Sequence, residues 1–423
     1  MEKLIEKTCI SILENELVPA LGCTEPIALA YAAAKVRDVL GNFPERMELS
    51  CSGNIVKNVK GVTIPNSNGL IGIDNAVILG AVGGDANEEL KVLEGVTEED
   101  ISKTKELKNS GFLKCTLKEG VANLYIDVKA YNGEHSAEVT IVNRHTLITN
   151  IVKDGEVIFH KDPVEKQPEL NVDNLSIETI LDFAENVDID KIKPVLSAQV
   201  KANLRISDEG LKTCYGAQIG KTLLDVYGND VKIRAVARAA AGSDARMNGC
   251  SMPVVINSGS GNQGLTVSMP VYEFAKEWQV SEEIFYRALA ISNLLSVYQK
   301  HYIGSLSAFC GAVTAACGSG AAITYMAGGD YDAICRTITN TLANVGGIIC
   351  DGAKSSCAAK ISSAVEAAIL GHELSMRGIA FKPGEGIVSE DTENTVKNIG
   401  YVGRVGMKNT DIEVLNLMLA ITE

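Results

Sequence analysis

The spacing of hydrophobic residues changes twice along the chain, and the changes divide it into three stretches. In residues 1–45, Leu4, Ile5, Ile12 and Leu13 recur near helical spacing, Pro19 and Gly22 interrupt, and an Ala-rich apolar face continues to Leu40. Two helices are expected. The second starts at Thr24-Glu25-Pro26, where Thr24 supplies an N-cap oxygen and Pro26 fits the first turn. In residues 46–160 short apolar runs alternate with Gly and Asn, which predicts strands over 47–51, 113–117, 124–130, 137–142 and 146–152 and helices over 73–84 and 97–109. Asn132-Gly133 is the turn of a hairpin between two of those strands. This stretch reads as a small α/β domain, and residues 160–175, with Pro163 and Pro168 among charges, read as a linker. Residues 176–423 are helical almost throughout, so the fold class is α+β: a predominantly helical domain rich in Ala and Gly, a smaller inserted α/β domain, and N-terminal helices packing on the helical body.

Composition sharpens this picture. Aromatic residues are only 5% of the chain while Gly reaches 39, so core density must come from close approach of small-residue helices. Residues 302–329 carry no charge and are long enough to cross a bilayer, but their many Gly, Ser and Thr residues favour a buried pair of soluble helices. Lys and Arg number 39 against 53 Asp and Glu, a net charge of −14, with no basic run to neutralise phosphates. A nucleic-acid partner is therefore excluded, and a membrane partner is not expected. The N-terminus mixes charges into its apolar stretch and has no signal-peptide core, which points to the cytoplasm.

Eleven cysteines are an odd number at irregular spacing, so they cannot all pair in disulfides. In a reducing compartment such thiols are ligands, catalysts or core residues. Cys23 stands immediately before a helix start, where free amides and the helix dipole favour a thiolate; the competing reading is a small buried residue at a junction. Cys350 and Cys357 are about two helical turns apart, or converge if Asp351-Gly352 breaks the helix. With Cys310 they make three soft donors suited to an iron–sulfur centre, although the spacing alone also fits buried core cysteines. Cys9, Cys51, Cys115, Cys214, Cys250, Cys317 and Cys335 lack such context, and neither the cysteines nor the five histidines show zinc-ligand spacing.

A second kind of candidate is rich in Gly and hydroxyls. Asn257-Ser258-Gly259-Ser260-Gly261-Asn262-Gln263-Gly264 follows an apolar extended segment and precedes a helical one, an arrangement that exposes amides to a carboxylate or phosphate. It lacks the Lys-Ser/Thr ending of a Walker loop. Ser52-Gly53-Asn54 is a shorter version, balanced between an ordinary turn and a substrate contact through Ser52 and Asn54. Arg404, between Gly403 and Gly406, is another candidate carboxylate partner.

Taken together, residues 252–264, the segment around Cys310 and the run from Cys350 to Cys357 resemble the catalytic alpha region of iron–sulfur L-serine dehydratases. With Gly22-Cys23-Thr24-Glu25-Pro26 added, the whole chain is more similar to the L-cysteine desulfidase branch. The resemblance implies a [4Fe-4S] cluster held by Cys310, Cys350 and Cys357 with one iron open, which makes residues 176–423 the catalytic domain. It implies a proton-accepting role for Cys23 and no pyridoxal phosphate. The implied reaction is β-elimination of L-cysteine to pyruvate, ammonia and hydrogen sulfide, with Ser258, Ser260 and Asn262 as candidates for the substrate carboxylate. Many serine dehydratases of this type end in a cysteine-containing tail, whereas this chain ends Ala420-Ile421-Thr422-Glu423, which favours cysteine over serine. The alternatives are elimination from L-serine and a non-catalytic anion-binding protein. The partner expected is a small amino acid, and a homo-oligomer is compatible with the sequence without being specified by it.

Overall fold

The computed structural model describes residues 3–163, 171–304 and 306–420. Residues 164–170 of the expected linker, Pro168 among them, therefore lie outside the described residues, as do the first two residues, Ser305 and the last three. Helix α1 (Lys3–Glu16) leads through strand β1 (Pro19–Leu21) to α2 (Thr24–Leu40). The second stretch contains β2 (Arg46–Cys51), α3 (Gly53–Val59), α4 (Ile73–Gly83), α5 (Glu98–Asn109), β3 (Leu113–Leu117), β4 (Tyr125–Asn132), β5 (His135–Val142), β6 (Ile148–Lys153) and β7 (Glu156–His160). The helical stretch follows with α6 (Ile177–Asn186), α7 (Ile189–Lys212), α8 (Ile219–Tyr227), α9 (Val231–Met247), β8 (Pro253–Val255), α10 (Gly261–Trp278), α11 (Glu282–Ile303), α12 (Ala312–Met326), α13 (Tyr331–Val345), α14 (Cys357–Met376), α15 (Thr392–Tyr401) and α16 (Lys408–Ala420). The fold is α+β.

Six strands form one mixed sheet in the order β3-β2-β4-β5-β6-β7. Only β2 and β3 run parallel, because three helices intervene between them; the other pairs are antiparallel. Asn132-Gly133 turns β4 into β5 as expected. The unforeseen β7 follows an Asp154-Gly155 turn with both residues at positive φ, and its side chains are exposed on both faces, which removes the alternation that marks a strand.

Helix α1 packs on α6, α7 and α11, whereas α2 lies over β4, β5 and α4. Two apolar clusters result. One runs from the sheet through α2 and α4 into α9, α10 and α14, and the other gathers α1, α6, α7, α11, α12 and α13. Small residues set their density as expected from the composition: a Cβ on Gly80 of α4 would stand 2.3 Å from Ala30 O of α2. Between residues 302 and 329 the structure has one buried helix, α12, rather than a pair, because α11 runs on to Ile303 and Gly304 ends it at φ +98°. No described helix is long and apolar enough to cross a membrane.

A small separate pairing joins the chain's first and last stretches. Strand β1 runs antiparallel to β8, with Pro19 opposite Val255, and α10 leans back on the same strand through Gly264, where a Cβ would lie 2.1 Å from Val255 O. Gly264→Ala must therefore push α10 off β8. Its unfolding free energy should drop by about 1–3 kcal/mol, the usual cost of overpacking, read as a lower denaturant midpoint. An unchanged midpoint would show that the helix is free to shift.

Candidate active site

Two helix connections bring Cys310 and Cys350 together. The residues after α11 and those after α13 pair as a two-rung ladder in which Cys310 N–H donates to Ile348 O (2.9 Å) and Cys350 N–H to Ala308 O (2.6 Å). Cys357 then opens α14, after a turn at Gly352 with φ +92° that presses on Lys57 O too closely for any side chain. Cys350 and Cys357 thus converge through a broken segment, one of the two geometries their spacing allowed. Helices α12 and α14 start beside Cys310 and at Cys357, so two positive helix ends face the thiols. Lys354 and Lys360 both pair with Asp351, and Lys360 also donates to Ile349 O (2.6 Å). Burial, reinforced by neighbouring Cys350, pushes the Cys310 thiol up to about 12, and burial also raises Cys357. Lys300, buried alongside, is pushed down to about 8 by burial against the opposing pull of Cys350 and Cys310.

The opposite wall rests on the β1–β8 pair. Beyond β8, Ser258 (φ +49°) and Gly259 (φ +75°) form a tight turn closed by reciprocal bonds between Asn257 and Ser260. Asn257 is fully buried; its amide donates to Asn293, and its oxygen accepts from Ser258 Oγ (2.9 Å) and Ser296 Oγ (3.0 Å). Asn293 and Gln199 in turn exchange two 2.9 Å bonds, so the turn is fixed by a satisfied amide network. Ser260 is the N-cap of α10, and Thr24 Oγ1 donates to Gly259 O (3.0 Å), tying the turn to α2.

Cys23, not Thr24, is the N-cap of α2, with φ −82° and ψ 134°. Its thiol donates to Glu25 Oε2 (3.0 Å), and His145 Nε2 stands 3.8 Å from Glu25 Oε1. The helix end does not lower the Cys23 thiol: burial and then the Glu25 charge hold it well above its ordinary value, with Arg246 pulling the other way. For Glu25, burial alone would raise the carboxyl, but the adjacent His145 and the Cys23 hydrogen bond outweigh it and hold it at about 2.

These walls enclose a cavity of about 490 Å³ lined by Cys23, Ser258, Ser260, Asn262, Cys310, Cys350 and Cys357. Ser52 and Asn54 are not brought to it. Ser52 caps α3 and donates to Asn123 O (2.6 Å), while Asn54 donates to Asp411 of α16 (2.8 Å), next to the buried Lys57–Asp411 ion pair. Arg404 is exposed and does not line the cavity. Sequence reasoning missed Glu25, His145, Arg246 and Lys300 and singled out Gln263 only as part of the amide-rich loop; all five line the cavity. Arg246 carried a signal, a charge closing the small-residue run Ala239-Ala240-Ala241-Gly242-Ser243-Asp244-Ala245. Among the described residues no three His, Cys, Asp or Glu side chains close on a single-ion site, and all eleven cysteines are free thiols.

A cleft of metabolite size, with thiols on one wall and a thiol–carboxylate–imidazole series on the other, defines the site of an enzyme for a small polar molecule. Residues 87–416 match the serine dehydratase alpha chain family, and the chain belongs to that family, whose class is that of the lyases. It is 52% identical to the UPF0597 protein of Lachnoclostridium phytofermentans, over 98% of this chain and 99% of that protein. It is 48% identical to the UPF0597 protein of Finegoldia magna over the same shares, and 46% identical to that of Treponema denticola over 99% of each.

The Glu25 geometry fixes a pH dependence. A carboxyl lowered from its ordinary 4.5 to about 2 stabilises the fold fully above 4.5, and that stability is lost as pH falls through about 2. The full difference is on the order of 3 kcal/mol. Glu25→Gln should therefore be less stable than wild type near neutrality and lose less between pH 4.5 and 2 in urea unfolding. Parallel wild-type and variant curves across that window would refute the assignment.

Proposed function

We propose that the protein is an iron–sulfur-dependent lyase that eliminates hydrogen sulfide from L-cysteine in the cytoplasm, leaving pyruvate and ammonia. The observation that carries this reading is the meeting of Cys310, Cys350 and Cys357 with Cys23 in one cavity, although α2 and α14 lie near opposite ends of the chain. The donor chemistry fits a cluster. Three thiols share a wall without forming a single-ion ligand set, and Lys354, Lys360 and two helix ends offset the charge that three thiolates would bring. The raised Cys310 and Cys357 values mean that binding would displace protons from thiols that are otherwise neutral. When bound, a [4Fe-4S] cluster on Cys310, Cys350 and Cys357 supplies a Lewis-acidic iron for the departing sulfur.

The protein's own residues supply the rest. Cys23 is the proposed acceptor of the α-proton. The thiol must first give up its own proton, along the 3.0 Å hydrogen bond to Glu25; its high value then makes the thiolate a strong base, and Arg246 favours its negative charge. The carbon–hydrogen electron pair forms the double bond as the carbon–sulfur bond breaks, and water converts the released aminoacrylate to pyruvate and ammonia. Asn262 and the amide-fixed turn at Ser258 and Ser260 border the space for the substrate. Pyridoxal phosphate has no part in this scheme. The family description favours a second substrate, L-serine, for which the same residues would expel hydroxide.

Anaerobically reconstituted protein should absorb broadly in the visible range and release sulfide and pyruvate in equal amounts from L-cysteine. Cys23→Ser should keep the absorption and lose turnover by roughly 100- to 10,000-fold, the range of a general base, whereas Cys310→Ala should lose both. Iron-free protein after reconstitution would overturn the cluster reading. Faster turnover of L-serine would replace the substrate, and full activity in Cys23→Ser would remove it as the base.

A further inference from the structure

Helix α9 carries three arginines, and two are conventionally paired. Arg234 binds Glu273 and Glu277, and Arg238 binds Glu273 and Asp208. Arg246, in the last turn, is different. It is 2% exposed, among the largest fully buried side chains of the molecule, and no carboxylate among the described residues lies within ion-pair distance of it. Its Nε has no hydrogen-bond partner. Of the acidic groups nearest in sequence or space, Glu25 is engaged by Cys23 and His145, and Asp244 accepts from Gly220 N–H through Oδ2, its Oδ1 being buried without a partner and not within ion-pair distance of Arg246.

A guanidinium buried without an anion is costly, and the cost is recovered when a carboxylate arrives to make charge-assisted bonds. Arg246 lines the cavity and lies against the first turn of α10, where Gly261 leaves room for it: a Cβ there would meet Arg246 Nε at 2.4 Å. The positive end of α10 adds to the same field. On that turn Asn262 Oδ1 and Gln263 Oε1 are also buried without partners. Two unpartnered carbonyl oxygens beside an unpartnered guanidinium are complementary to an ammonium beside a carboxylate, the pattern of an α-amino acid zwitterion.

We propose that Arg246 binds the substrate α-carboxylate and that the Asn262 and Gln263 amide oxygens accept from its α-ammonium. The amino-acid identity of the ligand rests on the lyase reading; the anion site itself does not. Arg246 thereby selects α-amino acids over amines and amides, whatever leaving group the β-carbon carries. Ser258 contributes its turn rather than a free hydroxyl, since its Oγ is already given to Asn257.

L-Alanine, which has no leaving group, tests the site without turnover, and L-alaninamide lacks only the carboxylate charge. Calorimetric titration of reconstituted wild-type protein should detect L-alanine and find L-alaninamide weaker by roughly 10- to 100-fold, the worth of a charged hydrogen-bond pair. Arg246→Gln should lose that preference while keeping the visible absorption, Arg246→Lys should keep part of it, and Arg404→Gln should bind as wild type does. Equal affinity of the wild type for both ligands overturns the proposal even if no Arg246 variant folds, as does an Arg246→Gln protein that still prefers L-alanine. Loss of the preference in a protein that makes no pyruvate from cysteine or serine would retain the anion site and sink the lyase reading. Unchanged KM for cysteine in Arg246→Gln would do the reverse.

Discussion

The constraint on which the site depends is backbone-on-backbone contact at glycine. With few rings to fill space, the helices approach until main chains touch, as Gly80 does against Ala30 and Gly264 against Val255. The second contact fixes where α10 begins, and so where Asn262 and Gln263 point. A third, Gly352 on Lys57 O, seats the turn between Cys350 and Cys357 on α3. Such contacts transmit displacement directly because no flexible side chain lies between the two backbones to absorb it.

Charge is distributed against the overall trend. The chain carries a net −14, yet buried cations concentrate around the cavity: Arg246 and Lys300 line it, and Lys57 lies behind it with Asp411 from α16. The surface is acidic and the interior cleft is basic. That separation favours negative charge in the cleft, without the self-repulsion that an acidic cleft would impose.

How much of this was legible depended on whether a signal was local. The strands between residues 46 and 153 followed from short apolar runs broken by Gly and Asn and from Asn132-Gly133; Asp154-Gly155 was an equally good turn signal, but the exposed strand after it had no apolar face to complete the pattern. The helix start at residue 24 was visible, while its cap was misassigned by one residue because Thr is the better intrinsic cap, and a tertiary contact with Gly259 and a local one with Glu25 claimed its hydroxyl. The lowered thiol value expected at that cap failed for a related reason: the dipole acts locally, but burial and a carboxylate two residues away are stronger. Ser52 and Asn54 resembled the 257–264 loop in composition, and only the tertiary fold separates a loop that faces a cavity from one that is bonded to Asn123 and Asp411. His145 has no neighbours in sequence to advertise it, and Arg246 only the small-residue run that it closes; their significance lies in what packs, or does not pack, against them.

The pairing of β1 with β8 has a consequence for synthesis. Residues 19–21 leave the ribosome early, but their partner strand lies more than halfway along the chain, and the two thiol-bearing loops come later still. Most of the walls around Cys23 are built from later residues, so the nascent chain carries it as an accessible thiol until those residues arrive. Closing so long a loop is slow relative to local helix formation. The protein thus passes through a stage, defined by chain order alone, in which Cys23, buried in the finished fold, is open to oxidation.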